Sequence, residues 1–119
     1  MAGTRVLIVD DEKDFCFAFR DFLKNKGIDV DVALDGDSAK TLIESVSYDF
    51  IFFDFNMPGL TGIDLPAIIK RHSPQAKKIM VTGYDLVDEK FKSLLELDAL
   101  IKKPVKLLDL YNLIVSRPK

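Results

Sequence analysis

The chain has 119 residues, 48% of them hydrophobic and 30% charged, with 17 Lys and Arg against 19 Asp and Glu and a net charge of −2. That composition excludes wholesale disorder, the length allows a single domain burying roughly two-thirds of its unfolded surface, and the weak acidic balance leaves no basic footprint for direct nucleic-acid binding. The lone Cys16 has no internal disulfide partner, and the apolar run from Val6 to Val9 is too short for a signal peptide or a membrane span, so the chain reads as a reduced, cytoplasmic protein.

No repeat, low-complexity tract or linker interrupts the chain; short apolar runs alternate with stretches of helical period. Val6 to Val9 reads as a buried strand. Phe15, Cys16, Ala18, Phe19, Phe22 and Leu23 then mark one face of a helix, which Gly27 ends. Phe17 points away from that stripe, on the side of Lys13, Asp21 and Lys24, while Cys16 lies on the stripe and belongs to the core. Ile28 to Val32 alternates apolar and polar residues, so this second strand has one wet face and belongs at a sheet edge. Ala39, Leu42, Ile43 and Val46 mark a second helix, and Phe50 to Phe53, apolar throughout, reads as a central strand.

The second half repeats the alternation. Ile63 to Ile69 forms a third helix whose Pro66 is tolerated only in its first turn, and His72 follows it as a helix-terminal surface residue. Lys78 to Val81 is a fourth strand, and Leu86 to Leu95 a fourth helix that Asp85 is placed to cap. Ala99 to Ile101 is a short fifth strand, and Val105 to Val115 a fifth helix. Five strand–helix pairs with short connections specify an α/β class, a doubly wound parallel sheet with helices on both faces.

In such a sheet, sites gather at the carboxyl ends of the strands. The first strand delivers Asp10, Asp11 and Glu12; the third delivers Asp54 and then Phe55-Asn56-Met57-Pro58-Gly59; the fourth delivers Thr82-Gly83 and the fifth Lys102-Lys103-Pro104. The edge strand contributes only Asp35, which has no evident partner. Brought within a few ångströms, Asp10, Asp11 and Asp54 repel, so either one takes up a proton or a cation settles among them. All-oxygen ligands favour Mg²⁺ over zinc. Lys103 adds a compact positive charge and Thr82 a hydroxyl, the parts that stabilise a transferring phosphoryl group. Asp54, on a central strand, is the candidate nucleophile for an aspartyl phosphate. If both lysines keep strand geometry they alternate in direction, so one of Lys102 and Lys103 reaches the site and the other solvent.

The segments Leu7-Ile8-Val9-Asp10-Asp11-Glu12, Phe53-Asp54-Phe55-Asn56-Met57-Pro58-Gly59, Val81-Thr82-Gly83 and Lys103-Pro104 together resemble a response-regulator receiver domain of two-component signalling, over essentially the whole chain. The resemblance implies a flavodoxin-like sheet of order 2-1-3-4-5 and a single receiver domain spanning 1–119 with its core at 5–115 and no output domain. It also implies phosphorylation of Asp54 by a phosphohistidine on a sensor histidine kinase or a histidine phosphotransfer protein. Asp11, Asp54 and the backbone carbonyl of Asn56 would ligand Mg²⁺, with Asp10 acting through a water. Thr82 would hydrogen-bond the phosphoryl oxygen and Lys103 would pair with it. The signal would leave through the fourth helix, fifth strand and fifth helix to a downstream protein target or an output domain elsewhere. The family's Lys-Pro bond before the last helix is often cis, which makes Lys103-Pro104 a candidate.

Three features depart from the family pattern or sit at its variable positions. Leu100 stands where the family usually has an aromatic switch residue, and Glu96-Leu97 replaces a common Gly-Ala. Tyr84 and Asn56 occupy positions that tune dephosphorylation in relatives. Phe17 is either an isolated exposed apolar residue or a kinase contact, since receivers commonly meet kinases through the first helix. Other readings are a receiver-like scaffold that takes no phosphate and a Mg²⁺-dependent phosphohydrolase of the haloacid-dehalogenase type. The second wants Asp-x-Asp where this chain has Asp10-Asp11-Glu12. A flavodoxin-like electron carrier is disfavoured because the same acidic run would repel the flavin phosphate.

Overall fold

The computed structural model describes residues 3–116. The elements in chain order are β1 (Arg5–Val9), α1 (Lys13–Lys24), β2 (Asp29–Ala33), α2 (Gly36–Ser45), β3 (Phe50–Phe53), α3 (Leu65–His72), β4 (Lys77–Thr82), α4 (Glu89–Leu94), β5 (Ala99–Lys102) and α5 (Leu107–Val115). The strands form one parallel sheet in the order β2-β1-β3-β4-β5, with β2 at an edge as its alternation predicts. The outermost residues of the expected 1–119 span lie outside the described residues.

Strand period divides the core in two. Leu7, Val9, Ile51, Phe53 and Met80 face one side, where Ala39 and Ile43 of α2 and Leu65 and Ile69 of α3 cover them. Val6, Ile8, Phe50, Phe52, Ile79 and Val81 face the other, under Cys16, Phe19 and Leu23 of α1 and Leu110 and Ile114 of α5. Both faces being covered, the central strands carry apolar runs rather than alternation. Phe19 meets Phe52 edge to face at 5.1 Å and fixes α1 on the sheet.

Several element ends differ from the sequence expectation, each for a local reason. α4 starts at Glu89, not Leu86, because the Asp88 carboxylate, and not that of Asp85, accepts the N–H groups of Lys90 and Phe91. Tyr84 to Val87 instead form a turn that buries Val87. α3 starts at Leu65 after a Thr61–Asp64 turn, in which Asp64 accepts from the Thr61 N–H, and keeps Pro66 in its first turn. α5 starts at Leu107, after a cis Lys103-Pro104 bond. Asp35, without an evident partner in the sequence, caps α2 by accepting the Ser38 N–H at 2.7 Å, a bond that holds its carboxyl below the usual range.

Gly36 opens α2 because nothing larger fits: a Cβ there would lie 1.9 Å from the carbonyl oxygen of Leu60, so this glycine seats the loop after β3. Glu96, in contrast, adopts φ +55, a left-handed conformation that costs a side-chain-bearing residue about 1–2 kcal/mol. Its exposed ion pair with Lys70 at 3.2 Å returns only a few tenths. Glu96→Gly is therefore expected to stabilise the fold by about 0.5 kcal/mol, after subtracting glycine's extra unfolded-state freedom. Urea unfolding checks this; a loss of stability would mean the ion pair outweighs the backbone.

Candidate phosphoacceptor site

Sheet register sets the site. Val9 pairs with Phe53, so Asp10 and Asp54 leave neighbouring strands at one level, with the Asp54 N–H on the Val9 carbonyl and the Asp10 N–H on that of Ala33, each at 3.1 Å. Thr82 pairs with Lys102, and the Lys103 N–H reaches the Thr82 carbonyl at 2.8 Å. Four strand ends thus open onto one pocket, whose walls include Asp11, Asp54, Asn56, Thr82 and Lys103.

Lys103 is the hub. Its ammonium lies 2.8 Å from Asp10 Oδ2 and 3.5 Å from Asp54 Oδ2, pairs with Glu12 Oε1, and sits 5.0 Å above the Phe15 ring. Burial by itself would lower the Lys103 pKa, but the hydrogen bonds to Asp10 and Glu12 prevail and raise it, so the side chain stays charged. Asp10 lies beneath the pocket at 1% exposure; burial raises its pKa although the Lys103 and Glu12 N–H hydrogen bonds pull the other way. Asp54 is 9% exposed, with Oδ1 accepting the Phe55 N–H at 2.7 Å and Oδ2 on the Lys103 side. Thr82 is buried, and its Oγ1 accepts the Tyr84 N–H at 3.1 Å, leaving its own proton to donate.

Of the residues singled out by sequence, Asp10, Asp54 and Lys103 meet directly, while Asp11, Asn56 and Thr82 border the same pocket. Lys102 takes the other direction, donating to the Tyr84 carbonyl at 2.7 Å. Leu100 packs with Phe55 and Phe91 against the core. Phe17 is partly exposed with the Arg20 guanidinium 4.8 Å over its ring, and His72 stands 3.9 Å from Glu44 on the surface. Sequence reasoning gave Glu12 no site role. It stands at the N-cap of α1 yet makes no side-chain cap bond, because its carboxylate is engaged with Lys103.

Oxygens of Asp10, Glu12 and Asp54 lie within 4.8 Å of one another. Three carboxylates against one ammonium leave the cluster negative, and this all-oxygen donor set suits a hard divalent cation such as Mg²⁺. The only cysteine here is no competing ligand. Cys16 is buried and donates to the Asp10 carbonyl at 3.2 Å, and burial, reinforced by the Asp10 charge, pushes its thiol up to about 12. The native protein is therefore expected to resist iodoacetamide at about pH 8, where the urea-unfolded chain gains one adduct by intact mass. Native alkylation at the unfolded rate would show that α1 opens freely.

A doubly wound sheet whose strand ends gather carboxylates around one lysine defines a flavodoxin-like α/β domain with an acidic site. The family model for the response regulator receiver domain matches residues 6–115, and the chain belongs to that family of two-component signalling domains. The transcriptional regulatory protein DltR of Streptococcus agalactiae is 31% identical over 101 residues, covering 84% of this chain and 45% of that protein. The AlgB alginate biosynthesis transcriptional regulatory protein of Pseudomonas putida is 30% identical over 84 residues, covering 71% of this chain but 19% of its own length. The chain thus spans less than half of these curated relatives. Among solved structures, the CheY-like response regulator receiver domain protein of Methanospirillum hungatei is 32% identical with a TM-score of 0.88, covering 95% of this chain and 91% of that one. The response regulator protein TrrA of Thermotoga maritima, solved in complex with Mg(2+)-BeF, is 26% identical with a TM-score of 0.82, covering 95% and 97%. No helix among the described residues is long and apolar enough to cross a membrane.

Proposed function

We propose that this receiver domain accepts a phosphoryl group onto Asp54 from a phosphohistidine on a sensor histidine kinase or a histidine phosphotransfer protein, in a Mg²⁺-dependent reaction. The carrying observation is the Asp54 carboxylate, which borders the pocket with one oxygen held by the Phe55 N–H and the other facing the Lys103 ammonium. An Asp54 oxygen attacks phosphorus, the phosphorus–nitrogen bond to the donor imidazole breaks, and the imidazole leaves with the bonding pair and takes a proton. Lys103, moved from its carboxylate partners, and the Thr82 hydroxyl stabilise the phosphoryl oxygens at no cost in proton transfer.

Asp11, Asp54 and the Asn56 carbonyl would hold Mg²⁺, with Asp10 behind a water and Glu12 near enough to contribute. Bound there, the ion supplies the positive charge that lets phosphoryl oxygens approach a carboxylate cluster. The Mg(2+)-BeF complex of TrrA supports this reading. The downstream partner is a protein target or an output domain outside these residues, and the cytoplasm is the compartment where a kinase would meet it. In relatives such as DltR and AlgB, most of the protein lies beyond the matched segment, which is where nucleic-acid recognition would reside.

The test is incubation with Mg²⁺ and a small acyl phosphate, read by intact mass. One added phosphoryl group that chelation prevents is the expected result. No label would favour the scaffold reading, and rapid turnover of varied phosphomonoesters the phosphohydrolase.

A further inference from the structure

We infer that Phe55, Tyr84 and Phe91 form an aromatic relay carrying the state of the Asp54–Thr82 pair to α4. The inference rests on the phosphoacceptor reading and adds the route by which its signal leaves the site. The Phe55 and Tyr84 rings stack at 5.0 Å with 8° between planes, and Phe91 meets Phe55 edge to face at 5.6 Å and 81°. Each of the first two rings belongs to a residue bonded to a reacting group. The Phe55 N–H holds Asp54 Oδ1, and the Tyr84 N–H holds Thr82 Oγ1. The stack therefore spans both residues that a phosphoryl group would pull on.

The third ring sits on an element poised to respond. α4 has only six residues and none is fully buried; Leu94 is 77% exposed and Leu86, just before the helix, 72%. Its hold on the domain comes from the half-buried Phe91 and Leu95 and from the flanking Val87 and Leu97. An element with so little buried surface moves between arrangements cheaply. β5 offers no competing ring in this cluster, since its residue there is Leu100. Drawing the Thr82 hydroxyl toward a phosphoryl oxygen moves the bonded Tyr84 backbone, shifts its ring on Phe55 and changes the seat of Phe91. Lys102, bonded to the Tyr84 carbonyl, steadies the resting position.

The test is amide NMR of the chain with Mg²⁺, before and after beryllofluoride. In the wild type, amides of both the site (54–55 and 82–84) and α4 (89–94) are expected to shift. In Tyr84→Leu and separately in Phe91→Leu, the site amides still shift while the α4 shifts fall to about half or less, the signature of lost coupling. Full α4 shifts in both variants would overturn the relay, as would a wild type whose site responds and whose α4 does not. A wild type whose site amides fail to shift would overturn the phosphoacceptor reading itself, and the relay with it.

Discussion

Asp54→Asn is expected to abolish phosphoryl labelling, by at least ~100-fold, without unfolding the domain. The amide oxygen of asparagine is a poor nucleophile, yet the side chain has the same shape, and its oxygen still accepts the Phe55 N–H that Asp54 Oδ1 accepts at 2.7 Å. Lys103 keeps Asp10 at 2.8 Å and its pair with Glu12, so no buried charge is orphaned. The Asp54 charge is one of the influences raising the Asp10 pKa, and its removal relaxes that repulsion. Stability is therefore expected within about 1 kcal/mol of wild type, and slightly above it if the repulsion dominates. Intact mass after acyl-phosphate treatment and a thermal melt measure the two halves. Undiminished labelling in a folded variant would move the acceptor to another carboxylate, with Asp11 and Glu12 the candidates on the pocket wall.

How much of this was legible in the sequence depends on what each feature rests on. Strand runs such as Val6 to Val9 and Phe50 to Phe53 were readable because burial on both faces demands unbroken apolar residues, which no surface helix of that length needs. Asp10, Asp54 and Thr82 could be placed at one edge because a parallel sheet sends all its carboxyl ends one way, whereas the choice of Lys103 over Lys102 came from the family resemblance. Helix starts were less legible. Asp85 and Asp88 offer the same cap chemistry, and the choice between them is made by the burial of Val87, a tertiary fact. Glu12 was hidden for a similar reason. Glutamate just before a helix reads as an ordinary terminal charge, and only the fold brings Lys103, ninety-one positions later, onto it.

The strain at Glu96 and the rings around the pocket show the same division. Glu96-Leu97 could be seen to stand where glycine and alanine are common, but the left-handed φ that makes glycine preferable is a property of the turn into β5. Leu100 could be seen to lack a ring. That Phe55, Tyr84 and Phe91 gather around one another depends on a loop, a turn and a short helix meeting at one corner, and nothing periodic in the sequence encodes such a meeting.

Lys103→Met is expected to cost about 2–3 kcal/mol of stability near pH 7, and most of that cost should disappear as the pH falls. Methionine keeps an apolar stem beside Phe15 but removes the one ammonium that Asp10, Glu12 and Asp54 share. Asp10 suffers most, being 1% exposed and left with the Glu12 N–H as its remaining side-chain bond. Burial already raises its pKa above the ordinary 3.8 with Lys103 present, and deleting Lys103 raises it further. A carboxyl whose folded pKa exceeds its unfolded one binds its proton more tightly when folded. Folding is therefore favoured while that group is protonated, and the advantage is lost as pH rises through the raised value. The deficit relative to wild type should then be largest near neutrality and shrink at mildly acidic pH, as Asp10 in the variant takes up its proton. Urea unfolding of both proteins at neutral and mildly acidic pH measures it. A deficit that stays constant with pH would assign the cost to lost packing of the lysine stem rather than to the uncompensated carboxylates.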